Sequence, residues 1–192
     1  FPTCAGMVLN TLKPSPGSTL AVWGLGGIGL CALMATRLYQ CSRVIAVDIN
    51  PDKLKLAQKL GATDVINSQD CDPVQTMRGL TGGKGVDFSV EASGVAQIIE
   101  KAFDAVKRGG GVCVFASHPE HSSRISLDPF ELICGKKIMG SWGGESHPDR
   151  DLPRFIEIYQ KGMAPLDLLL SKPYSLSEIN RAMDDLEKRR IS

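Results

Sequence analysis

Residues 19–37 read TLAVWGLGGIGLCALMATR. The short run Thr19–Trp23, with β-branched and aromatic residues, predicts a strand. Four glycines follow within six positions. Ile28, Cys31, Ala32 and Ala35 then recur at i, i+3, i+4 and i+7, which predicts an amphipathic helix over residues 28–39. A strand, a glycine turn and a helix in that order form the opening unit of a doubly wound sheet.

Gly24-Leu25-Gly26-Gly27-Ile28-Gly29 matches G-x-G-x-x-G. Gly24 allows the tight turn out of the strand. Gly26 lets backbone approach a pyrophosphate, and Gly29 lets the helix pack closely. The helix N-terminus offers free N–H groups and partial positive charge to phosphate. The pattern alone is weak. Asp48 strengthens it, because it ends the next apolar run 19 positions after Gly29. An acid there accepts hydrogen bonds from the adenosine ribose and repels a 2′-phosphate, so NAD is expected over NADP. No Arg follows at Ile49 or Asn50 to receive that phosphate. The competing reading is a packing turn without a ligand, with Asp48 merely opening the turn DINPD.

Outward from this unit, strand and helix patterns alternate. Strands are predicted over 43–47, 64–66, 86–91, 112–116 and 137–141. Between them lie a helix from Pro51 to the glycine cap at Gly61, a weaker helix over Pro73–Leu80, and a helix with Ile99, Ala102, Phe103 and Val106 on one face. Six strands with intervening helices predict an α/β fold, a doubly wound six-stranded parallel sheet. Leu152, Phe155, Ile156 and Tyr159 mark a further helix closed by Gly162. Ser175 and Glu178 then form a capping box before Ile179, Ala182, Met183 and Leu186. We expect residues 1–163 to form a dinucleotide-binding domain and residues 164–192 to return toward a second domain. The start at Phe1 and the abrupt end at Ile191 and Ser192 suggest a piece of a longer protein.

Composition narrows the function. Of 192 residues, 43% are hydrophobic and 22% charged, which suits a packed core. A net charge of +1 and the lack of a basic stripe argue against nucleic acid as a partner. No apolar run reaches the roughly 18 residues of a membrane span. The six cysteines form no C-x-x-C pair, so reduced thiols in a cytoplasmic protein are expected, and no metal site.

Together, AVWGLGGIGL, RVIAVDINPDKLKLAQKLGAT, GVDFSVEASG and GGGVCVFA resemble the coenzyme-binding domain of the zinc-containing, medium-chain alcohol dehydrogenases. The resemblance runs the length of the chain. It implies an oxidoreductase that moves hydride from a primary or secondary alcohol to NAD, with a small alcohol or carbonyl as partner. It implies that Gly24 to Gly29 hold the pyrophosphate, with backbone contacts from Gly27 and Ile28. Asp48 would bind the ribose with Lys53 beside it, and Ile49 would border the adenine. Ala92 and Ser93 would lie above the cofactor. Val114, Ala116 and Trp142 would approach the nicotinamide carboxamide, largely through backbone atoms, and Thr3 would pack near the ring.

The departures are informative. The family's catalytic zinc ligands sit mostly in an N-terminal domain not found in this sequence. Cys4 falls too late to be the second cysteine ligand, and the structural-zinc cysteines are missing. Zinc is therefore expected only in the full-length protein, and this chain is expected to bind NAD without turnover. A family arginine at the pyrophosphate would fall just past Ser192, with Arg189 and Arg190 out of register. The region around Trp142 helps form subunit contacts in the family, which implies a homo-oligomer by analogy; Trp142 could equally be core. His118, His121 and His147 lie in polar loops and read as surface residues, and Glu91 as structural or near the cofactor. A catalytically silent nucleotide-binding module and a zinc-free quinone or enoyl reductase remain alternatives; the latter usually prefer NADPH, against Asp48.

Overall fold

The computed structural model describes residues 1–170 and 173–188. Its centre is one parallel sheet of β1 (Thr19–Trp23), β2 (Arg43–Asp48), β3 (Asp64–Asn67), β4 (Phe88–Glu91), β5 (Val112–Phe115) and β6 (Lys137–Gly140). The strands lie in the order β3-β2-β1-β4-β5-β6, as the doubly wound reading requires. All neighbours are parallel; Trp23 stands opposite Val47 on one side and Glu91 on the other. The order reverses between β1 and β4, so the loops leaving their carboxyl ends diverge into a crevice.

Helices cover both faces: α1 (Pro2–Gly6), α2 (Gly27–Thr36), α3 (Pro51–Lys59), α4 (Pro73–Leu80), α5 (Ala96–Asp104), α6 (Pro129–Ile133), α7 (Pro148–Gln160) and α8 (Ile179–Glu187). Local chemistry explains their ends. The Asn50 side chain accepts from Asp52 N and Lys53 N, and Pro51 occupies the first turn of α3. Gly61 ends that helix at φ +111°. Asp72 caps α4 in the same way. Alternation along β1 divides the core. Leu20 and Val22 join one buried cluster with α2, while Ala21 and Trp23 join a second with Met77 and Phe103.

Four expectations change. The helix after the glycines ends at Thr36 and is not amphipathic, for every residue from Gly29 to Thr36 is buried. The unpredicted α1, continued by a wider π-helical turn over Met7–Leu12, packs on its outer side. Strand 86–91 shortens to Phe88–Glu91, with Val86 making only an isolated bridge to Val106. The segment Pro129–Ile133 is helical because Asp128 accepts from Phe130 N and Pro129 starts the turn.

Around the expected domain boundary, Ala164 is fully buried, and Leu166 and Leu169 pack on the first core cluster. The Ser175–Glu178 capping box forms, but Ile179, Met183 and Leu186 of α8 remain about half exposed. Among the described residues, no helix is long and apolar enough to cross a membrane.

Candidate functional site

The crevice begins where β1 ends. Gly24 has φ +80°, a conformation that favours glycine, and a Cβ there would lie 2.9 Å from Ser93. Gly29 is more constrained: its Cβ would lie 1.8 Å from the Gly24 carbonyl oxygen. These two glycines therefore let α2 sit directly on its own entry turn. Gly26 and Gly27 differ, because an added Cβ would meet nothing within 4 Å. They leave open space at the helix N-terminus. Gly26 occupies the cap position without a side-chain capping bond, so the first N–H groups of α2 face that opening.

Asp48 closes the opposite side. Leu25 N–H donates to its Oδ2 at 2.6 Å, and Ile49 and Asn50 N–H donate to Oδ1 at 2.8 and 2.9 Å. The carboxylate thus braces the glycine turn against the end of β2. The motif spacing locates this acid but says nothing of the brace, which depends on β1 and β2 being neighbours.

Gly24, Gly26, Gly27, Asp48, Ile49, Lys53, Ala92 and Ser93 line one cleft of about 490 Å³, so eight of the sequence-derived residues converge. Leu25, Asn50 and Leu186 join them, Leu186 from α8, far along the chain from the rest. A smaller, mainly apolar recess of about 260 Å³ continues past Ile49 to Val95 and Ile98. Sequence reasoning missed Val95, Ile98 and Leu186. All three are ordinary apolar residues of helical patterns, and only the packing exposes them here.

The remaining expected residues lie elsewhere. Ile28 and Gly29 belong to the first turn of α2. Val114 is fully buried within β5, paired with Val90 and Met139, and Ala116, just past the strand, occupies the carboxyl edge. Thr3 lies in α1, and its carbonyl would be 2.4 Å from a Cβ on Gly144. The segment after Trp142 therefore laps closely over Thr3. Trp142 is 81% exposed, which removes the core reading, and stands edge-on to His118 at 5.8 Å. His118, His121 and His147 are all exposed. Arg189 and Arg190 lie outside the described residues.

Glu91 ends β4 with a side chain fully buried. Ser93 N–H donates to Oε1 at 2.6 Å and Gly94 N–H at 3.3 Å, with the Ser93 hydroxyl on the same oxygen. The Ser117 hydroxyl donates to Oε2. One side chain therefore holds the loop after β4 to the loop after β5. Its charge reaches Cys113, whose thiol is pushed up first by burial and then by Glu91.

A family model described as zinc-binding dehydrogenase matches residues 27–161, from the start of α2 past the end of α7. The chain belongs to this family. Within it, the chain is similar to alcohol dehydrogenase 2 of Zea mays, at 40% identity over 184 residues, covering 95% of this chain and 48% of the relative. It is 38% identical to an S-(hydroxymethyl)glutathione dehydrogenase of Synechocystis sp., covering 95% and 50%. In structure it resembles benzyl alcohol dehydrogenase of Acinetobacter calcoaceticus, with TM-score 0.91, 37% identity, and coverage of 97% of this chain and 51% of that one. The chain spans about half the length of the curated relatives it matches.

Proposed function

We propose that this chain is the NAD-binding half of a zinc-dependent alcohol dehydrogenase, with residues 1–163 forming the dinucleotide domain and residues 164–192 returning toward a catalytic domain. The observation that carries the reading is Asp48 facing an unfilled glycine turn: a carboxylate at the end of β2, and open space beside Gly26 and Gly27 that a Cβ would occupy. The residues suit the cofactor. First-turn N–H groups of α2 would hold the pyrophosphate, and Asp48 and Lys53 the adenosine ribose. Ile49 would pack on adenine, with Val95 and Ile98 completing an apolar seat. Ala92 and Ser93 would form the wall above the cofactor. Thr3, Ala116 and the Trp142 backbone would orient the nicotinamide. When bound, NAD accepts a hydride from the alcohol carbon.

The described residues do not fit zinc. Among the described residues no three or more His, Cys, Asp or Glu side chains come together as a metal site, so no step is derived through the metal here. The small-molecule substrate, whether alcohol or carbonyl, would be held mainly by the other half. A cytoplasmic homo-oligomer with contacts near the exposed Trp142 completes the reading.

Calorimetric titration tests it. NAD should bind more tightly than NADP, and tighter NADP binding would overturn the role of Asp48. Incubation with NAD and a panel of alcohols should give no turnover; zinc-dependent turnover would refute the division of labour.

A further inference from the structure

Glu91 does more than a brace requires. Removing a carboxylate from water is costly unless it is paired or fully hydrogen-bonded. Nature's usual partner is absent: among the described residues no Lys, Arg or His lies at ion-pair distance from it. Neutral N–H and O–H donors alone hold it, so its negative charge is solvated but not cancelled. A neutral donor shell in a water-free interior leaves a field that reaches its surroundings.

The direction of that field follows from the two donors. Ser93 adjoins Ala92 and lines the cleft beside Gly24. Ser117 adjoins Ala116 at the carboxyl edge of β5. The charge therefore lies between the wall at Ser93, which also borders the recess with Ile49, and the edge at Ala116, where the reading above seats the nicotinamide. NAD carries a positive nicotinamide ring, and NADH a neutral one.

The geometry points to Glu91 as the residue that selects the cofactor's oxidation state, its uncancelled charge favouring the cationic ring of NAD over the neutral ring of NADH. This inference rests on the cofactor reading proposed above. Glu91 acts through space and through Ser93 and Ser117, so it is a positioning and electrostatic residue and not a catalytic one. In a site of intermediate dielectric, one unit charge several ångströms from the ring changes relative affinity by about tenfold.

Titration of the chain and its variants with NAD, NADH and ADP-ribose tests this. ADP-ribose lacks the nicotinamide and reports the brace alone. Glu91→Gln should lower the ratio Kd(NADH)/Kd(NAD) by about tenfold, beyond any loss shared by all three ligands. Glu91→Asp keeps the charge and should hold the ratio within about threefold of the starting value. Ser117→Ala removes a donor from the charge and should raise the ratio. Equal losses for all three ligands in Glu91→Gln would reduce Glu91 to a brace and overturn the inference. Should Glu91→Gln not fold, an unchanged or lowered ratio in Ser117→Ala overturns it instead. A parent chain that fails to bind ADP-ribose overturns the cofactor reading itself, and the inference with it.

Discussion

Replacing Gly29 and Gly26 by alanine, one at a time, separates folding from binding within a single motif. In Gly29→Ala the new methyl would start 1.8 Å from the Gly24 carbonyl oxygen, with Val22 at 3.4 Å behind it. Backbone must move by about an ångström, because the obstacle is the Gly24 carbonyl and not the end of a flexible side chain. Overpacking of this kind costs about 1–3 kcal/mol, and a rigid backbone obstacle belongs at the upper end. Alanine returns roughly 1 kcal/mol of helix propensity. The net loss is about 2 kcal/mol, or a fall in Tm of about 4–8 °C for a chain of this size. Gly26→Ala is the opposite case. Gly26 has φ −74° and ψ −172°, which alanine adopts freely, and its Cβ would meet nothing within 4 Å. Its stability should change by less than about 1 kcal/mol, because the freedom lost by the unfolded chain is offset by alanine's poorer fit at a helix cap. Its methyl would instead fill the space that we assign to the pyrophosphate, so NAD affinity should fall at least tenfold, about 1.4 kcal/mol. Thermal unfolding and calorimetric titration read the two effects independently. An unchanged Tm in Gly29→Ala, or a parallel loss of stability in Gly26→Ala, would refute this division of the motif.

Asp48→Gly should weaken NAD and narrow its advantage over NADP; unchanged affinities for both, by titration, would remove the ribose assignment. The same substitution frees Leu25 N–H, so backbone hydrogen exchange at Leu25 should rise. Glu131 makes a hydrogen-bonded pair with Arg108 first and with the buried Lys136 second, which hold its carboxyl down to about 2. Its folded value lies below the ordinary one, so its contribution to stability is complete above the usual carboxylate range. That contribution is lost as pH falls through that range toward 2, and Glu131→Gln should flatten this part of an acid-unfolding curve. Trp142→Ala should leave the stability of the isolated chain within about 0.5 kcal/mol, since the ring is 81% exposed; a larger loss in urea unfolding would contradict its surface placement.

Much of the architecture is readable along the chain because its signals are local. The strand Thr19–Trp23 and the helix Pro73–Leu80 keep the bounds that composition and turn residues suggest. Asn50 with Pro51, Asp72 with Pro73 and the Ser175–Glu178 box announce helix starts through bonds spanning two or three residues. Helix α2 is misread as amphipathic for a nonlocal reason: its outer face is covered by α1 and the turn Met7–Leu12, and periodicity carries no record of a neighbour.

By itself, the sequence determined the α/β alternation, the glycine turn and the acid that follows it, because backbone sterics, capping and helical or strand periodicity act over a few residues. Only the tertiary structure decided which glycines fold the turn and which leave it open. Only it joined Asp48 to Leu25, and buried Glu91 between the loops after β4 and β5. Those outcomes depend on strand order, which brings together residues 23 and 26 positions apart. Through-space contact and exclusion of water, which give a carboxylate its reach, arise only when the sheet closes its two faces.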